Sequence, residues 1–339
     1  MVFANSFHPS VSCSSEDQEK DDDKSKNGNG DDNQESSSSS AEGSRGKETY
    51  SLLETTCDAN KKVTGKPHPV DNRLVLFHFD STTSTQDEAK TIAKGLSEAS
   101  SPPDTFCVTA TSQSNGRGTT GRQWLGAPGN VFVTIGIPVD VWMTKLMKER
   151  RIPLTLLPLK IGELTASLIN SELEKCNAAD ATVTVKWPND VLVDEKKISG
   201  TLIENASNWF LIGIGINVAH APTVSTTGTD YGRPSVSLHD YCGDSKRHGS
   251  DQKARDLGVG IALSFHKWIY EDNSETAEMI VEGWKRWLNW DAELTMRNDT
   301  NRDEPRRVVK LLDVLPDGRI KVVNKGDGKE EILVSDYFV

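Results

Sequence analysis

The chain has 339 residues, a formal net charge of −11 and 35% hydrophobic residues, enough for one large domain and one small domain with substantial cores. Residues 1–48 carry a net charge of −6, so the remaining body is only mildly acidic and lacks the basic face that general binding of phosphate backbones requires. The longest charge-free apolar run, Trp209 to Ala219, is far shorter than the roughly 20 residues of a membrane helix. We therefore expect no membrane helix.

Residues 1–68 are predicted to be a disordered, acidic, Ser-rich leader, because DDDKSKNGNGDDNQESSSSS has almost no apolar side chain to offset the entropy of ordering. A solvated leader is favoured over a docking tail. Strand-like composition begins at Leu74, and the capping pattern after it predicts a helix that begins at Ser84 or Thr85. Buried strands are predicted over Phe106–Ala110 and Val131–Pro138.

The second half of the chain predicts a helix over 157–175, then strand, turn and hairpin through KWPND and KKISG, and a buried strand in WFLIGIGINV. Residues 219–252 are predicted to be a long loop, followed by helices over about 253–271 and 275–289. From Asp291 onward, four short strands with two Gly-containing turns predict a small all-β module. The expected fold is an α+β domain over 69–290 with a C-terminal barrel over 291–339.

The cysteines predict neither a disulfide framework nor a zinc site. Their number is odd and their spacing is wide, without a CxxC pair: Cys13, Cys57, Cys107, Cys176 and Cys242. We expect free thiols in a reducing compartment. The first residues resemble neither a secretory signal nor an Arg-rich transit peptide, so a cytoplasmic location is favoured, with a plastid address left open by the early serines.

The segment QSNGRGTTGRQW, residues 113–124, is the first candidate for chemistry. Its glycines allow the backbone to approach a ligand closely, and the guanidinium groups of Arg117 and Arg122 fit carboxylate and phosphate oxygens. The pattern is equally typical of a flexible or RNA-binding Gly-Arg loop.

KWPND with the following K-x-x-G is the second candidate. It places Lys186, Asn189 and Asp190 at the end of a strand and Lys197 on the hairpin that returns to the same sheet. Taken singly, Asp190 fits an Asx turn and Lys197 an exposed hairpin lysine. Convergence of Arg117, Lys186 and Lys197 on one sheet face would instead gather positive charge where two anions meet.

The run GIGINV is the third candidate. Alternate glycines in a buried strand leave a face on which a planar ring or a phosphate can lie, and Asn217 ends the strand with a donor and an acceptor. Packing of a helix against the glycines explains the pattern equally well.

In this order and spacing, STQDEAK, GRGTTGRQW, KWPNDVLVDEKKISG and GIGINV closely resemble the biotin–protein ligases, also called holocarboxylase synthetases, over about residues 74–339. The resemblance implies a catalytic domain related to class II aminoacyl-tRNA synthetases with an SH3-like C-terminal domain. It also implies an enzyme that uses MgATP to convert biotin to biotinyl-5′-AMP and transfers biotin to a lysine of carboxylase carrier domains. Because residues 1–68 cannot form a helix-turn-helix, a monofunctional ligase that does not bind DNA is expected, as a monomer or weak dimer.

By this resemblance, Arg117 binds the biotin carboxylate and the phosphate, and Lys197 holds the α-phosphate and the reacting oxygen. Asp190 orients Mg²⁺ or the incoming lysine; no metal ligand set is assigned. The residues expected around biotin are Ser84, Thr85, Gln113, Gly116, Arg117, Gly118, Lys197 and Gly200. Those expected around ATP are Arg122, Trp124, Lys186, Asn189, Gly215 and Asn217, with loop 219–252 as a lid over the adenine.

Two features depart from the family pattern: Thr119 and Thr120 stand where many members have arginine, and Gln86 stands where asparagine is usual. We expect weaker retention of biotinyl-AMP unless Arg122 or another cation substitutes. A lipoate–protein ligase is the first alternative function, although the Arg-Arg-x-x-Gly-Gly-Gly stretch expected of it is absent from the sequence. A non-catalytic nucleotide- or RNA-binding protein is the second.

Overall fold

A mixed nine-stranded sheet forms the centre of the computed structural model, which describes residues 54–56, 62–223, 233–243, 251–296 and 307–334. Its strands are β3 (Lys66–Pro67), β4 (Leu74–Thr82), β5 (Thr105–Arg117), β6 (Gln123–Gly126), β7 (Val131–Pro138), β8 (Val183–Lys186), β9 (Asp190–Val193), β10 (Lys196–Ala206) and β11 (Trp209–Ile216). The order is β3-β4-β5-β7-β11-β10-β9-β8, with β6 paired to β5 outside this path. Only the β4–β5 pair is parallel among the strands of this sheet.

Helices cover both faces of this sheet. Helix α1 (Thr85–Ser97) packs on one face, where it buries Phe106 and Val108 of β5. Helices α3 (Leu157–Lys175) and α5 (Asp251–Tyr270) pack on the other face, which contains Cys107. Neighbouring residues of one strand therefore point into different cores, which accounts for the uninterrupted apolar runs in the sequence.

Several predicted elements agree closely with the structure. Helix α3 and strand β7 have the expected bounds, α1 begins at Thr85 with Ser84 as its N-cap, and α5 and α6 (Ala277–Lys285) lie within two residues of the expected starts. One helical segment was missed. Residues Val139–Val141 form a helical turn, α2, that continues through Trp142–Glu149 with wider π-type turns.

The expected disorder of the whole leader is wrong at its end. Within residues 54–68, strands β1 (Glu54–Thr56) and β2 (Lys62–Thr64) pair with each other, and β3 adds to the edge of the central sheet. Gly65 lies against the Phe77 ring, so the end of this segment belongs to the fold. The rest of the leader lies outside the described residues, and the domain boundaries remain predictions.

The C-terminal part forms a separate antiparallel sheet, as expected, with four strands: β12 (Glu293–Met296), β13 (Arg307–Val314), β14 (Ile320–Asn324) and β15 (Glu330–Leu333). It contacts the larger domain at the turn between β8 and β9, where Trp187 Nε1 donates to Gly318 O at 3.2 Å, and at the end of α6, where Lys285 Nζ pairs with Asp313 at 2.9 Å. Val309, Leu311 and Ile320 belong to the same hydrophobic core as α3.

The prediction of free thiols is wrong for two cysteines. Cys176, at the end of α3, forms a disulfide with Cys242, which ends the short helix α4 (His239–Cys242). Cys107 is a free thiol, and its burial raises its pKa to about 12. Cys13 and Cys57 lie outside the described residues. Wide spacing did not exclude a disulfide because the fold brings distant positions together.

None of the described helices is by itself long and apolar enough to cross a bilayer. The segments Val139–Glu149 and Leu154–Lys175 have the length and apolar composition of a spanning helix only when taken together, and this pair is bent by 105°.

Candidate active site

A cleft with about 480 Å³ of free space opens between the N-terminus of α1, the β5–β6 hairpin and the face of β10 and β11. We call it the first cleft. It brings together ten of the residues expected at the site: Ser84, Thr85, Gln113, Arg117, Gly118, Trp124, Asn189, Lys197, Gly200 and Gly215. Residues up to 131 positions apart in the chain thus share one cleft.

The N-terminus of α1 forms one wall. Ser84 caps the helix by accepting a hydrogen bond from Gln86 N at 3.3 Å, and Gln113 Oε1 accepts from Thr85 N at 3.3 Å. The Thr134 hydroxyl lies 3.0 Å from both Thr85 Oγ1 and Gln86 Oε1. The unpaired backbone N–H groups that a helix start presents are thereby partly satisfied within the wall, which fixes the polar side chains in place.

Residues 113–126 form a hairpin rather than the flexible Gly-Arg loop that was one interpretation of the sequence. Strand β5 continues to Arg117, and a tight turn through Thr119–Gly121 returns the chain into β6, with Gly116 opposite Trp124. Gly116 does not line the cleft: a Cβ there would lie 2.3 Å from Gln113 Nε2 and 2.4 Å from Trp124 O. Its role is to let the two strands and Gln113 approach closely.

Glycines of β10 and β11 form a flat platform on the floor of the cleft. Gly200 and Gly215 are opposite each other in the two strands. A Cβ on Gly215 would lie 2.3 Å from Trp124 Cε2, and one on Gly200 would lie 3.1 Å from Trp124 Cζ3. The planar ring that lies on Gly215 is therefore the protein's own indole. Gly213 instead faces Gln86 of α1, which agrees with the interpretation that a helix packs against the glycines of this strand.

Lys197 and Asp190 form an ion pair beside this platform. Lys197 Nζ lies 2.7 Å from Asp190 Oδ1 and 5.5 Å from the centre of the Trp124 ring. Burial acts to raise the pKa of Asp190, but the nearby ammonium groups of Lys197 and Lys186 outweigh it and hold that pKa below its usual value. The carboxylate is thus kept ionised and fixes the position of Lys197.

Arg117 is not the free cation that the sequence led us to expect. Its Nη2 lies 2.8 Å from Asp87 on α1 and 2.8 Å from Glu204 on β10. Its Nε is buried without a hydrogen-bond partner among the described residues, and the same holds for Trp124 Nε1. Buried unpartnered donors are rare in folded proteins, so these two N–H groups need an acceptor that the described chain does not supply.

A second cleft, with about 1000 Å³ of free space, adjoins the first across Trp124 and Lys197. It is lined by Arg122 and Asn217, as expected, and also by Arg233. Arg122 donates to Thr119 Oγ1 at 3.2 Å, and Arg233 donates to Glu195 O at 2.9 Å; neither forms an ion pair with a described residue. Two guanidinium charges therefore face this space without a paired carboxylate in the described chain.

Lys186 does not join Arg117 and Lys197 in the first cleft. It lies in a groove between β8 and the C-terminal sheet, with Trp187 and Leu311. Burial lowers the pKa of its ammonium group, although Asp190 opposes this effect. Of the three cations expected to converge, Lys186 thus lies outside the first cleft, although it is opposite Asp190 in the β8–β9 pair and acts on that carboxylate.

The role of Asn217 in the structure is to hold the backbone. Its Nδ2 donates to Val236 O at 3.2 Å, and residues 234–236 in turn pair with the backbone of Lys197. Of the expected lid over 219–252, residues 224–232 and 244–250 lie outside the described residues. The described part between them supplies Arg233 and Ser235 to the second cleft.

Sequence reasoning missed Asn130 and Arg233. The Oδ1 of Asn130 accepts hydrogen bonds from three consecutive backbone N–H groups, those of Val218, Ala219 and His220, at 2.9–3.0 Å. It thereby fixes the exit of β11 at the edge of the second cleft. Its position after the turn Pro128-Gly129 carried no signal, and Arg233 stood alone in a Ser- and Thr-rich segment.

The residues that the structure describes do not form a metal cage of their own. Among the described residues, no group of three or more His, Cys, Asp or Glu side chains is arranged to hold a metal ion. Asp190, the carboxylate that the sequence nominated, is paired with Lys197.

Comparison with known proteins identifies the family. The model of the biotin/lipoate A/B protein ligase family matches residues 78–219. The biotin–[acetyl-CoA-carboxylase] ligase of Paracoccus denitrificans is 30% identical over 193 residues, which are 55% of this chain and 70% of that protein. The chain belongs to the biotin/lipoate A/B protein ligase family. The resemblance drawn from the sequence motifs is thus confirmed.

A bacterial relative with a second function matches over a shorter part. The bifunctional ligase/repressor BirA of Bacillus subtilis is 32% identical over 152 residues, 43% of this chain, and the chain spans only 41% of that protein's length.

The biotin protein ligase of Leishmania major in complex with biotin is 27% identical with a TM-score of 0.54, over 77% of this chain and 98% of that one. The Aquifex aeolicus ligase in complex with biotin and ATP, 20% identical over 77% and 99% of the two chains with a TM-score of 0.50, shows the same fold. The expected class II synthetase-like α+β fold is therefore confirmed.

Proposed function

We propose that this family member is a biotin–protein ligase. In the first step, a biotin carboxylate oxygen attacks the α-phosphorus of ATP; the new O–P bond forms as the bond to the β-phosphate oxygen breaks, giving biotinyl-5′-AMP and pyrophosphate. In the second step, the amine of an acceptor lysine attacks the biotinyl carbonyl carbon, AMP leaves and the nitrogen loses a proton. The product is an amide between biotin and the acceptor protein.

One observation carries this proposal: a single cleft contains the polar N-terminus of α1, the glycine platform, Trp124 and Lys197. The biotin ureido group requires fixed donors and acceptors, which Thr85 and Gln113 supply. The apolar ring and valeryl chain require an apolar surface, which the Trp124 indole on the glycine platform supplies. The relatives named as biotin ligases and the likeness to a biotin complex favour biotin over lipoate.

The first reaction step requires positive charge, because two anions must come into contact. At about 4 Å and an effective dielectric constant of about 20, each pair of like charges repels by roughly 4 kcal/mol. Lys197 is placed to offset this repulsion at the junction of the two clefts, and Asp190 prevents its ammonium group from moving away. Asp190 is ionised and already paired, so we assign it to the positioning of Lys197.

The triphosphate is assigned to the second cleft. Arg122 and Arg233 line it without carboxylate partners among the described residues, and guanidinium groups bind phosphate oxygens by paired hydrogen bonds. Mg²⁺ would enter with the nucleotide phosphates, where it screens their negative charge. No protein ligand and no reaction step is assigned to the ion.

The acceptor is proposed to be a biotin carboxyl carrier domain of a carboxylase, as the name of the Paracoccus denitrificans relative indicates. A cytoplasmic location is kept as a proposal. A disulfide is uncommon in cytosolic proteins, so alkylation of thiols in protein taken directly from cell fractions tests location and redox state together.

The deciding experiment is intact-mass analysis of a carrier-domain acceptor after incubation with the protein, biotin and MgATP. The expected result is a mass increase by one biotin less one water, dependent on ATP. Lys197→Met is expected to abolish it, and the matched control Lys148→Met, on the exposed side of the Trp142–Glu149 segment, is expected to retain it.

Replacing biotin by lipoate in the same assay tests the first alternative, a lipoate–protein ligase. A mass increase with lipoate and none with biotin would replace the proposal by a lipoate ligase. Absence of pyrophosphate release with either acid, together with retention of RNA on a filter, would favour the non-catalytic alternative.

A further inference from the structure

The guanidinium group of Arg117 is held from two sides of the first cleft. Its Nη2 contacts Asp87 Oδ1 on α1 and Glu204 Oε2 on β10, each at 2.8 Å. The Glu204 side chain is 25% exposed and that of Asp87 is 42% exposed. Since hydrogen bonds between charged groups weaken with hydration, Glu204 is the stronger of the two anchors.

Glu204 is itself fixed in orientation. Its Oε1 accepts from Lys90 Nζ at 2.9 Å, so both carboxylate oxygens have cationic partners. Glu204 follows Gly200 and Leu202 at alternate positions of β10, and both of those residues line the first cleft. The strand therefore fixes the distance from the glycine platform to the carboxylate that holds Arg117.

Because Asp87 and Glu204 both bind Nη2, the other donors of the guanidinium group are not used by these two carboxylates. Arg117 lines the first cleft, and its Nε is buried without a partner among the described residues. An acceptor atom of a ligand in the cleft would complete this donor's hydrogen bonding. The two carboxylates also compensate the charge of Arg117, so its function is that of an oriented donor rather than of a free cation for phosphates.

We propose that Glu204 is a positioning residue for biotin recognition: it holds Arg117 Nη2 so that Nε donates to an acceptor oxygen of bound biotin. This inference rests on the proposed function. It assigns Arg117 and Glu204 to biotin binding and leaves the nucleotide to Lys197 and the second cleft.

Biotin-dependent exchange of pyrophosphate into ATP tests this role, because it yields a KM for each substrate separately. Glu204→Ala is expected to raise the KM for biotin about ten- to hundredfold, the range that loss of one hydrogen bond between charged groups gives. The KM for ATP should remain at the wild-type value. The matched control Glu88→Gln removes a charge next to Asp87 but contacts Thr82 instead of Arg117, and should leave both values unchanged.

The double variant Arg117→Ala with Glu204→Ala decides whether Glu204 acts through Arg117. The expected KM for biotin equals that of Arg117→Ala alone. A further increase in the double variant, or an equal rise of the KM for ATP in Glu204→Ala, would overturn the proposal. A purely structural role would affect both substrates and thermal stability together.

Two further measurements keep the test independent of folding and of the reaction. If Glu204→Ala does not fold, Glu204→Gln retains the size and one acceptor, and should give a smaller rise confined to biotin. If the wild type shows no biotin-dependent exchange, the proposed function fails; calorimetric titration of the same variants with biotin then reports on Glu204 directly. Equal biotin affinity of wild type and Glu204→Gln in that titration would overturn the positioning role.

Discussion

Replacing Gly215 by alanine is expected to displace the Trp124 indole from the floor of the first cleft. A Cβ on Gly215 would lie 2.3 Å from Cε2 and 2.6 Å from Nε1 of that ring, whereas contacting carbon atoms lie about 3.5–4.0 Å apart. The ring must therefore shift by roughly 1 Å or more. Overpacking of this kind costs about 1–3 kcal/mol. Because Trp124 is only partly buried, it is free to move outward, so the cost falls on ligand binding more than on folding.

The assay is the biotin-dependent exchange of pyrophosphate into ATP, combined with thermal unfolding of the same protein. A cost of about 1–3 kcal/mol corresponds to a rise in KM of roughly 5- to 150-fold. Gly260→Ala is the matched control: its Cβ would meet nothing within 4 Å in the middle of α5, so it should leave the kinetics unchanged and stabilise the fold by about 0.5–1 kcal/mol. Wild-type KM values for both substrates in Gly215→Ala would refute the argument.

Lys197→Met should lower the exchange rate by about 100-fold or more, since it removes the cation at the junction of the clefts; a rate near wild type would contradict its assignment. Cys242→Ser should lower the free energy of unfolding by about 2–4 kcal/mol in urea titrations, and reduction of the wild type should do the same because it opens the same link to Cys176. Burial lowers the pKa of His266 although Asp71 opposes this, so on acidification the imidazole is protonated in the unfolded chain before it is protonated in the folded one. The stability measured by thermal unfolding should therefore fall as the pH drops below about 6.5, and the fall should be smaller in His266→Gln. Thr119→Arg should slow the release of biotinyl-AMP in the absence of an acceptor, and release at an unchanged rate would show that this position does not control retention.

Periodicity and turn chemistry were sufficient for much of the fold. The apolar spacing of residues 157–175 and the uninterrupted run Val131–Pro138 reflect local rules, and the structure has both elements with these bounds. The motif residues also lie in one region, because strand ends on neighbouring strands meet whatever lies between them in sequence. Val139–Glu149 was missed because its wider π-type turns follow a strand directly, without a polar stop signal.

Features that depend on partners distant in sequence could not be predicted. Arg117 was expected to be free, yet its carboxylate partner on β10 is 87 residues away. Cys176 and Cys242 are 66 residues apart, and their pairing follows from where α3 and α4 end. The glycines of β11 leave space on the strand, as the sequence predicts, but the side chain that fills it is Trp124 of the β5–β6 hairpin.

The contact between Trp187 and Gly318 bears on how the protein melts. The KWPND turn and the C-terminal sheet share one hydrogen bond and one continuous apolar interior, so neither part has a complete interior alone. Calorimetry should accordingly record a single heat-absorption peak, and a chain truncated after Trp290 should expose Trp187 to water and bind hydrophobic dyes. The C-terminal sheet thus shields the Trp187 side of the KWPND turn from water.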